Sequence, residues 1–252
     1  MRRTLAFFSH AADVRRARDE RRRLPAAGAY DFAERHVPGG CHQLPAEIVP
    51  FLARVHDTRP QRICEIGCAN GATTLALSHS APTVELMIGV DLFVRHRAIL
   101  RALRPPTQRM AFVDAPSLSP RGLADVRQAL GGATLDVLLI DGDHSYEGAL
   151  GDFFAYRELV RDGGLIAFHD IVPDGYPRGG GSSGEAQERM PPLPGVPWAG
   201  GVPRLWSALS VFFEHETYIA DPCQHGFGLG VIEYQHDRVD RALRNALDAA
   251  SP

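Results

Sequence analysis

The chain has 252 residues, 44% of them apolar and 23% charged, with a formal net charge of −3. This is the make-up of an ordinary soluble domain large enough for one extended α/β core. The slightly acidic balance gives no reason to expect a nucleic-acid partner, and no apolar run approaches the ~20 residues needed to span a bilayer, so a cytoplasmic protein is expected. Four cysteines (Cys41, Cys64, Cys68 and Cys223) stand at no zinc-finger spacing and are expected as reduced thiols. Every basic side chain other than His is Arg; without lysine, Schiff-base chemistry on a lysine is excluded.

In chain order, residues 1–45 read as an N-terminal arm and cover. They open with an apolar patch holding Phe7 and Phe8, pass through a heavily charged helix-prone run, and end in Pro- and Gly-containing loop or short-helix material. The exposed aromatics and the charged arm suggest a homo-oligomer contact. Residues 46–252 read as a single domain. Apolar residues at helical spacing mark a helix over Pro45–Val55. Strands and helices then alternate. The strands are Arg62–Ile66, Thr83–Val90, Arg109–Val113, Leu135–Ile140 and Leu165–Phe168. The helices start near Ala72, Val94, Leu118 and Tyr146, the last being closed by Asp162-Gly163-Gly164. Short apolar runs separated in this way predict a doubly wound, mostly parallel sheet. The Gly/Pro-rich stretch 172–203 leaves the last of these strands at its C-terminal edge and is expected to form a lid over the site. Order resumes with a helix from Val202. Thr217–Ala220 and Gly228–Tyr234 follow as an antiparallel pair, and Arg238–Ala250 as a terminal helix.

The stretch Arg62 to Thr73 reads as a strand, a glycine turn and a helix start. Glu65-x-Gly67-x-x-x-Gly71 lacks the closely spaced second glycine of a dinucleotide fingerprint, so a ligand without pyrophosphate fits it better, and S-adenosylmethionine is the candidate. Gly67 and Gly71 would clear space for that ligand, and the first helical N–H groups would face it. Glu65, Cys68 and Asn70 belong to the same loop. Asp91, 20 residues beyond Gly71, stands where a ribose diol could be bound, and Asp114 where an adenine amino group could be met.

Each of the five strands ends in an acid, and ligands of open α/β sheets bind at that edge. Asp141-Gly142-Asp143-His144 places an imidazole one turn from two carboxylates. His144 is a candidate general base, with Asp143 orienting it. Asp141, His169 and Asp170 could hold a divalent metal, with Mg²⁺ or Mn²⁺ expected to bind acceptor oxygens and lower their pKa.

Glu65-x-Gly67-x-x-x-Gly71, Asp91 and the strand alternation resemble class I S-adenosylmethionine-dependent methyltransferases. Leu139 to Gly148, with Gly163 to Ile171, resembles the branch of macrocin-type sugar O-methyltransferases and cephalosporin hydroxylase-like proteins, with a weaker echo at Gly201 to Trp206. The resemblance implies a Rossmann-like, seven-stranded sheet with an antiparallel C-terminal pair. It also implies methyl transfer to a small hydroxylated acceptor of natural-product or sugar type, Asp141 and Asp170 as metal ligands, and His144 as base. His169 departs from that pattern, standing where an acid is often found.

Overall fold

The computed structural model describes residues 28–174, 198–238 and 241–249. The N-terminal arm as far as residue 27 and most of the expected lid, 175–197, lie outside the described residues. Seven strands form one sheet in the order β3-β2-β1-β4-β5-β7-β6. They are β1 (Arg62–Ile66), β2 (Leu86–Asp91), β3 (Arg109–Asp114), β4 (Leu135–Ile140), β5 (Val160–His169), β6 (His215–Tyr218) and β7 (Leu229–Tyr234). Strands β1 to β5 run parallel; β7 is antiparallel to both β5 and β6. The order therefore turns back between β1 and β4, which opens a crevice at their C-terminal ends.

The strands sort their side chains by period two into two cores. Cys64, Ile66, Leu138 and Ile140 face one side, where they pack with α5 (Pro120–Leu130), α6 (Tyr146–Tyr156), α7 (Val202–Leu209) and α8 (Arg241–Ala249). Ile63, Val137 and Leu139 face the other, against α1 (Ala29–His36), α2 (Pro45–Asp57), α3 (Ala72–His79) and α4 (Arg97–Leu103). The stretch before the first predicted helix is thus a real helix: α1 buries Tyr30 and Phe32 against α3.

Boundaries move for identifiable reasons. Helix α5 begins at Pro120 because the Ser119 side chain accepts the Gly122 N–H and proline suits the first helical turn. Helix α6 ends at Tyr156 instead of continuing to Val160. A short 3-10 turn leads into β5, and Asp162-Gly163-Gly164, expected to close the helix, lies inside the strand. The β4–β5 register shifts there, between Leu135 and Val137, and Gly163 takes φ 67°: the glycines absorb a bulge. One other placement matters for the site. Glu47, fully buried on α2, accepts hydrogen bonds from Gly228 N and the Gln224 side chain, so the α2 helix anchors the 220–228 loop beside the end of β5.

Candidate active site

The glycine turn after β1 is tied inward more than expected. The amides of Gly67 and Cys68 both donate to Val90 O at the end of β2. Ala69 N donates to Asp91 Oδ2 at 2.8 Å, Gly71 N to Cys68 O, and Ala72 N to the Asn70 side chain. Of the first helical N–H groups expected to face a ligand, that of Ala72 is therefore already taken by the Asn70 side chain. A loop wired this way has no cradle for a phosphate, in keeping with the missing dinucleotide glycine.

The glycines also have a task within the fold. Gly67 sits at φ 86°, and a Cβ there would fall on the Asp141 carbonyl oxygen; Gly71 sits at φ 87° with the Leu100 side chain in the space a Cβ would need. They permit this close approach of one part of the chain to another. Cys68 is buried with its thiol against Gly89. Asn70, besides capping Ala72 N, donates to Gly40 O at 2.7 Å. Glu65 is 1% exposed and accepts from the Thr74 hydroxyl. Burial pushes its carboxyl up to about 8, against the lowering effect of the Thr74 bond, with Asp141 and Asp91 adding to the rise.

Asp91 caps the turn beyond β2, accepting from Ala69 N and from Phe93 N at 2.9 Å. Leu92 and Phe93 beside it are both exposed, at 73% and 68%. Asp114 accepts from Val94 N and pairs with Arg97, so an adenine amino group would have to share it with that guanidinium.

The second group lies across the crevice. Asp141, at the end of β4, accepts from the Gln43 side chain at 2.7 Å, and Gln43 in turn accepts from the Thr73 hydroxyl of α3. Gln43 is a site residue that no sequence pattern marks, since it stands in an aperiodic loop. Asp170 follows β5 at φ 61°, a left-handed conformation costly for a non-glycine residue; its carboxylate is 0% exposed and neither oxygen has a hydrogen-bond partner. Two imidazoles flank the two acids. His169 Nδ1 lies 3.2 Å from Asp141 Oδ1 and 3.3 Å from Asp170 Oδ2. His144 Nε2 lies 3.6 and 3.4 Å from the same two atoms.

These charges set each other. Burial acts to lower both histidines, but the acids outweigh it: His144 is pushed up to about 9, chiefly by Asp141, and His169 well above its ordinary value by Asp170 and Asp141. Asp141 is held below the usual carboxylate range, the two histidines overcoming its own burial. The two acids thus favour the protonated form of both imidazoles. His144 acts as a base only after losing that proton.

Asp143 does not orient His144. Its Oδ1 accepts from Ser145 N, because the chain turns there into α6, where Gly148 leaves room for the carboxylate. The orienting group is the Trp198 carbonyl, which accepts from His144 Nδ1 at 2.7 Å; the two rings meet edge to face. Gly201 N donates to His144 O at 2.7 Å, and a Cβ on Gly200 would strike that same carbonyl. The Gly200-Gly201 pair thus lets the 198–201 segment lie directly on the Asp141–His144 turn.

The metal-ligand expectation also changes. Among the described residues, Asp141, His144 and Asp170 bring one ligand atom each to within 4.8 Å of the others. His144 joins Asp141 and Asp170 there, while His169, expected as the third ligand, lies within 3.3 Å of the same two oxygens. The three could hold a cation in place of the imidazole protons that now face the Asp170 carboxylate.

Residues 64–171 match the family model described as a methyltransferase domain. With the sheet order above, the matched core has the Rossmann-like α/β fold of a methyltransferase domain. No curated protein matches the chain in sequence. Among solved structures, a candidate O-methyltransferase from Klebsiella pneumoniae aligns over 88% of this chain and 90% of its own, at 18% identity and a TM-score of 0.50. The O-methyltransferase TomG of Streptomyces achromogenes, involved in tomaymycin synthesis and solved with S-adenosylmethionine, aligns over 74% and 81% at 16% identity and 0.45. An O-methyltransferase from Bacillus cereus, solved with S-adenosylhomocysteine, aligns over 73% and 79% at 16% identity and 0.46.

Proposed function

We propose that this enzyme transfers the methyl group of S-adenosylmethionine to a hydroxyl of a small-molecule acceptor of natural-product or sugar type, assisted by a divalent metal. The observation that carries this reading is the position of the Asp141, His144 and Asp170 cluster, at the strand edge beside the Gly67 turn. The methyl donor lies along the β1 turn with Asp91 and Glu65 near it, and the acceptor lies at the cluster. In the transfer, the sulfonium–methyl bond breaks as the oxygen–methyl bond forms. The sulfur keeps the electron pair and becomes a neutral thioether, and the hydroxyl proton passes to Nε2 of a neutral His144. Such a displacement depends mainly on alignment, which a rigid sheet edge supplies. Asp141 and Asp170 with an imidazole would hold the metal, which when bound lowers the pKa of the acceptor hydroxyl.

A second, metal-free reading uses His144 as general base. It is favoured by the Trp198 carbonyl, which fixes the Nδ1 proton and leaves Nε2, on a ring 23% exposed, as the atom to receive a proton. Calorimetric titration with S-adenosylmethionine tests the common ground: saturable binding is expected, and none at millimolar ligand would refute both. Methyl transfer to a panel of polyhydroxylated acceptors, with and without EDTA, separates them: loss on chelation favours the metal, unchanged rates the free base.

A further inference from the structure

We infer that the indole of Trp198 is the wall against which the acceptor lies, so that the enzyme selects a hydroxyl carried on a ring with an apolar face, a pyranose or a phenol, over one on an open chain. This rests on the reading above that the acceptor binds at the Asp141, His144 and Asp170 cluster, and it names the class of acceptor that fits there.

The first observation is placement. The Trp198 and His144 rings stand at 85° with their centroids 5.6 Å apart. Both reach solvent: Trp198 is 38% exposed and the His144 side chain 23%. An uncovered aromatic beside a few convergent polar groups is the make-up of a small-molecule site. Here the acids and imidazoles supply the polar side and the indole the apolar one. A ring alcohol is divided in the same way, with hydroxyls around its edge and C–H groups or a π system on its faces. An open-chain polyol has no such face.

The second is rigidity. Trp198 N–H donates to the Asp174 carboxylate, and Trp198 O accepts from His144 Nδ1 at 2.7 Å. The segment leading to Asp174 is itself fixed: Val172 N donates to Phe227 O at 2.9 Å, and Gly226 N to Pro173 O at 3.2 Å. These bonds join it to the 220–228 loop that buried Glu47 holds. With the backbone of Trp198 tied on both sides, stacking has only two side-chain torsions left to order, for a large contact area.

The third is the contrast with the other tryptophan of the chain. Trp206 packs against Phe168 and is 7% exposed, and Gly230 clears the space its ring occupies. There the fold uses an indole for packing and covers it. At Trp198 the indole is left open beside the reactive groups.

The carbonyl that orients His144 belongs to the backbone and is retained in every side-chain substitution at 198, so variants there report on the indole. The test is the fluorescence and calorimetry of the full chain titrated with methyl β-glucopyranoside, resorcinol and sorbitol, with and without S-adenosylhomocysteine, in wild type, Trp198→Phe and Trp198→Ala. Buried Trp206 gives a constant background, which Trp198→Phe measures. At least one ring compound is expected to change the Trp198 emission and to shield it from acrylamide, while sorbitol does neither. The ring compound that acts distinguishes a C–H face from a π face. Trp198→Ala should weaken its binding by ~10-fold, and Trp198→Phe should restore it to within ~3-fold of wild type. Sorbitol binding as tightly as the rings, ring affinity unchanged in Trp198→Ala, or wild-type emission unmoved by either ring compound at tens of millimolar would each overturn the inference. Circular dichroism melts establish that the variants are folded, and the wild-type emission decides even where Trp198→Ala is not. S-adenosylmethionine titration of the same samples keeps the two readings apart. Saturable binding with a silent Trp198 refutes only the wall, and a responsive Trp198 without such binding refutes only the methyl donor.

Discussion

Replacing Asp152 by Asn should stabilise the protein above pH 6 and leave it nearly unchanged below pH 4. Asp152 is buried on α6 beside the Ser117 hydroxyl, which lowers its pKa by less than burial raises it, and it lies under the Asp141–His144 turn, where a Cβ on Gly142 would stand 3.6 Å from its Oδ2. Burial, with the Asp143 charge adding to it, pushes its pKa from 3.8 to about 6. An acid raised in this way binds its proton more tightly folded than unfolded. The native state then holds the extra proton between those two values, and stability falls as pH rises through the window. Two units at 1.36 kcal/mol each give a ceiling of about 3 kcal/mol, reached above the folded pKa. Asn has the same shape and no charge to desolvate. Urea denaturation of both proteins from pH 4 to 8 gives the difference curve directly. It should be near zero at pH 4, rise to a plateau of ~2 to 3 kcal/mol past pH 6, and stay flat beyond. A flat difference throughout, or a variant less stable than wild type at pH 7, would refute the account of Asp152 as a buried ionising group.

Two further substitutions test the architecture. Gly67→Ala sets a Cβ on the Asp141 carbonyl at φ 86°, whereas Gly131→Ala meets nothing within 4 Å at φ 62°. Thermal melts should show a loss of more than ~3 kcal/mol in the first and ~1 kcal/mol in the second, and equal losses would mean that conformation alone matters at Gly67. Ser145→Ala removes the side chain that accepts the Gly148 N–H at 3.0 Å at the start of α6, and should cost about 1 kcal/mol in urea denaturation.

What could be read from the sequence was what local periodicity encodes. Strands β1 and β4 coincide with their apolar runs because both faces of each are buried, so no alternation confuses the signal. The strand-end acids were legible for the same reason: polarity resumes where the sheet stops. The helix α6 to β5 junction was misjudged because Gly163-Gly164 has the composition of a helix stop, and only pairing with β4 turns it into a bulge. Contacts across long separations left no local trace. Gln43 reaches Asp141 across 98 residues, and the Trp198 carbonyl reaches His144 across 54. Neither partner carries a pattern that names the other, and a backbone carbonyl has no sequence identity at all. The role given to Asp143 failed for this reason: it is the neighbour in sequence, and the group that orients the ring comes from another part of the chain.

On the proposed function, the contact between Gly67 and the Asp141 backbone makes the donor loop and the acceptor turn a single mechanical part. Asp141 N also donates to Ile66 O at 2.9 Å, so the two are bolted as well as touching. The distance from methyl donor to acceptor is then a fixed dimension of the scaffold that neither half can reset alone. Attempts to redirect this enzyme to a new acceptor should treat residues 62–144 as one casting and confine exchange to the segments that land on it from outside, such as 198–201 and 220–228.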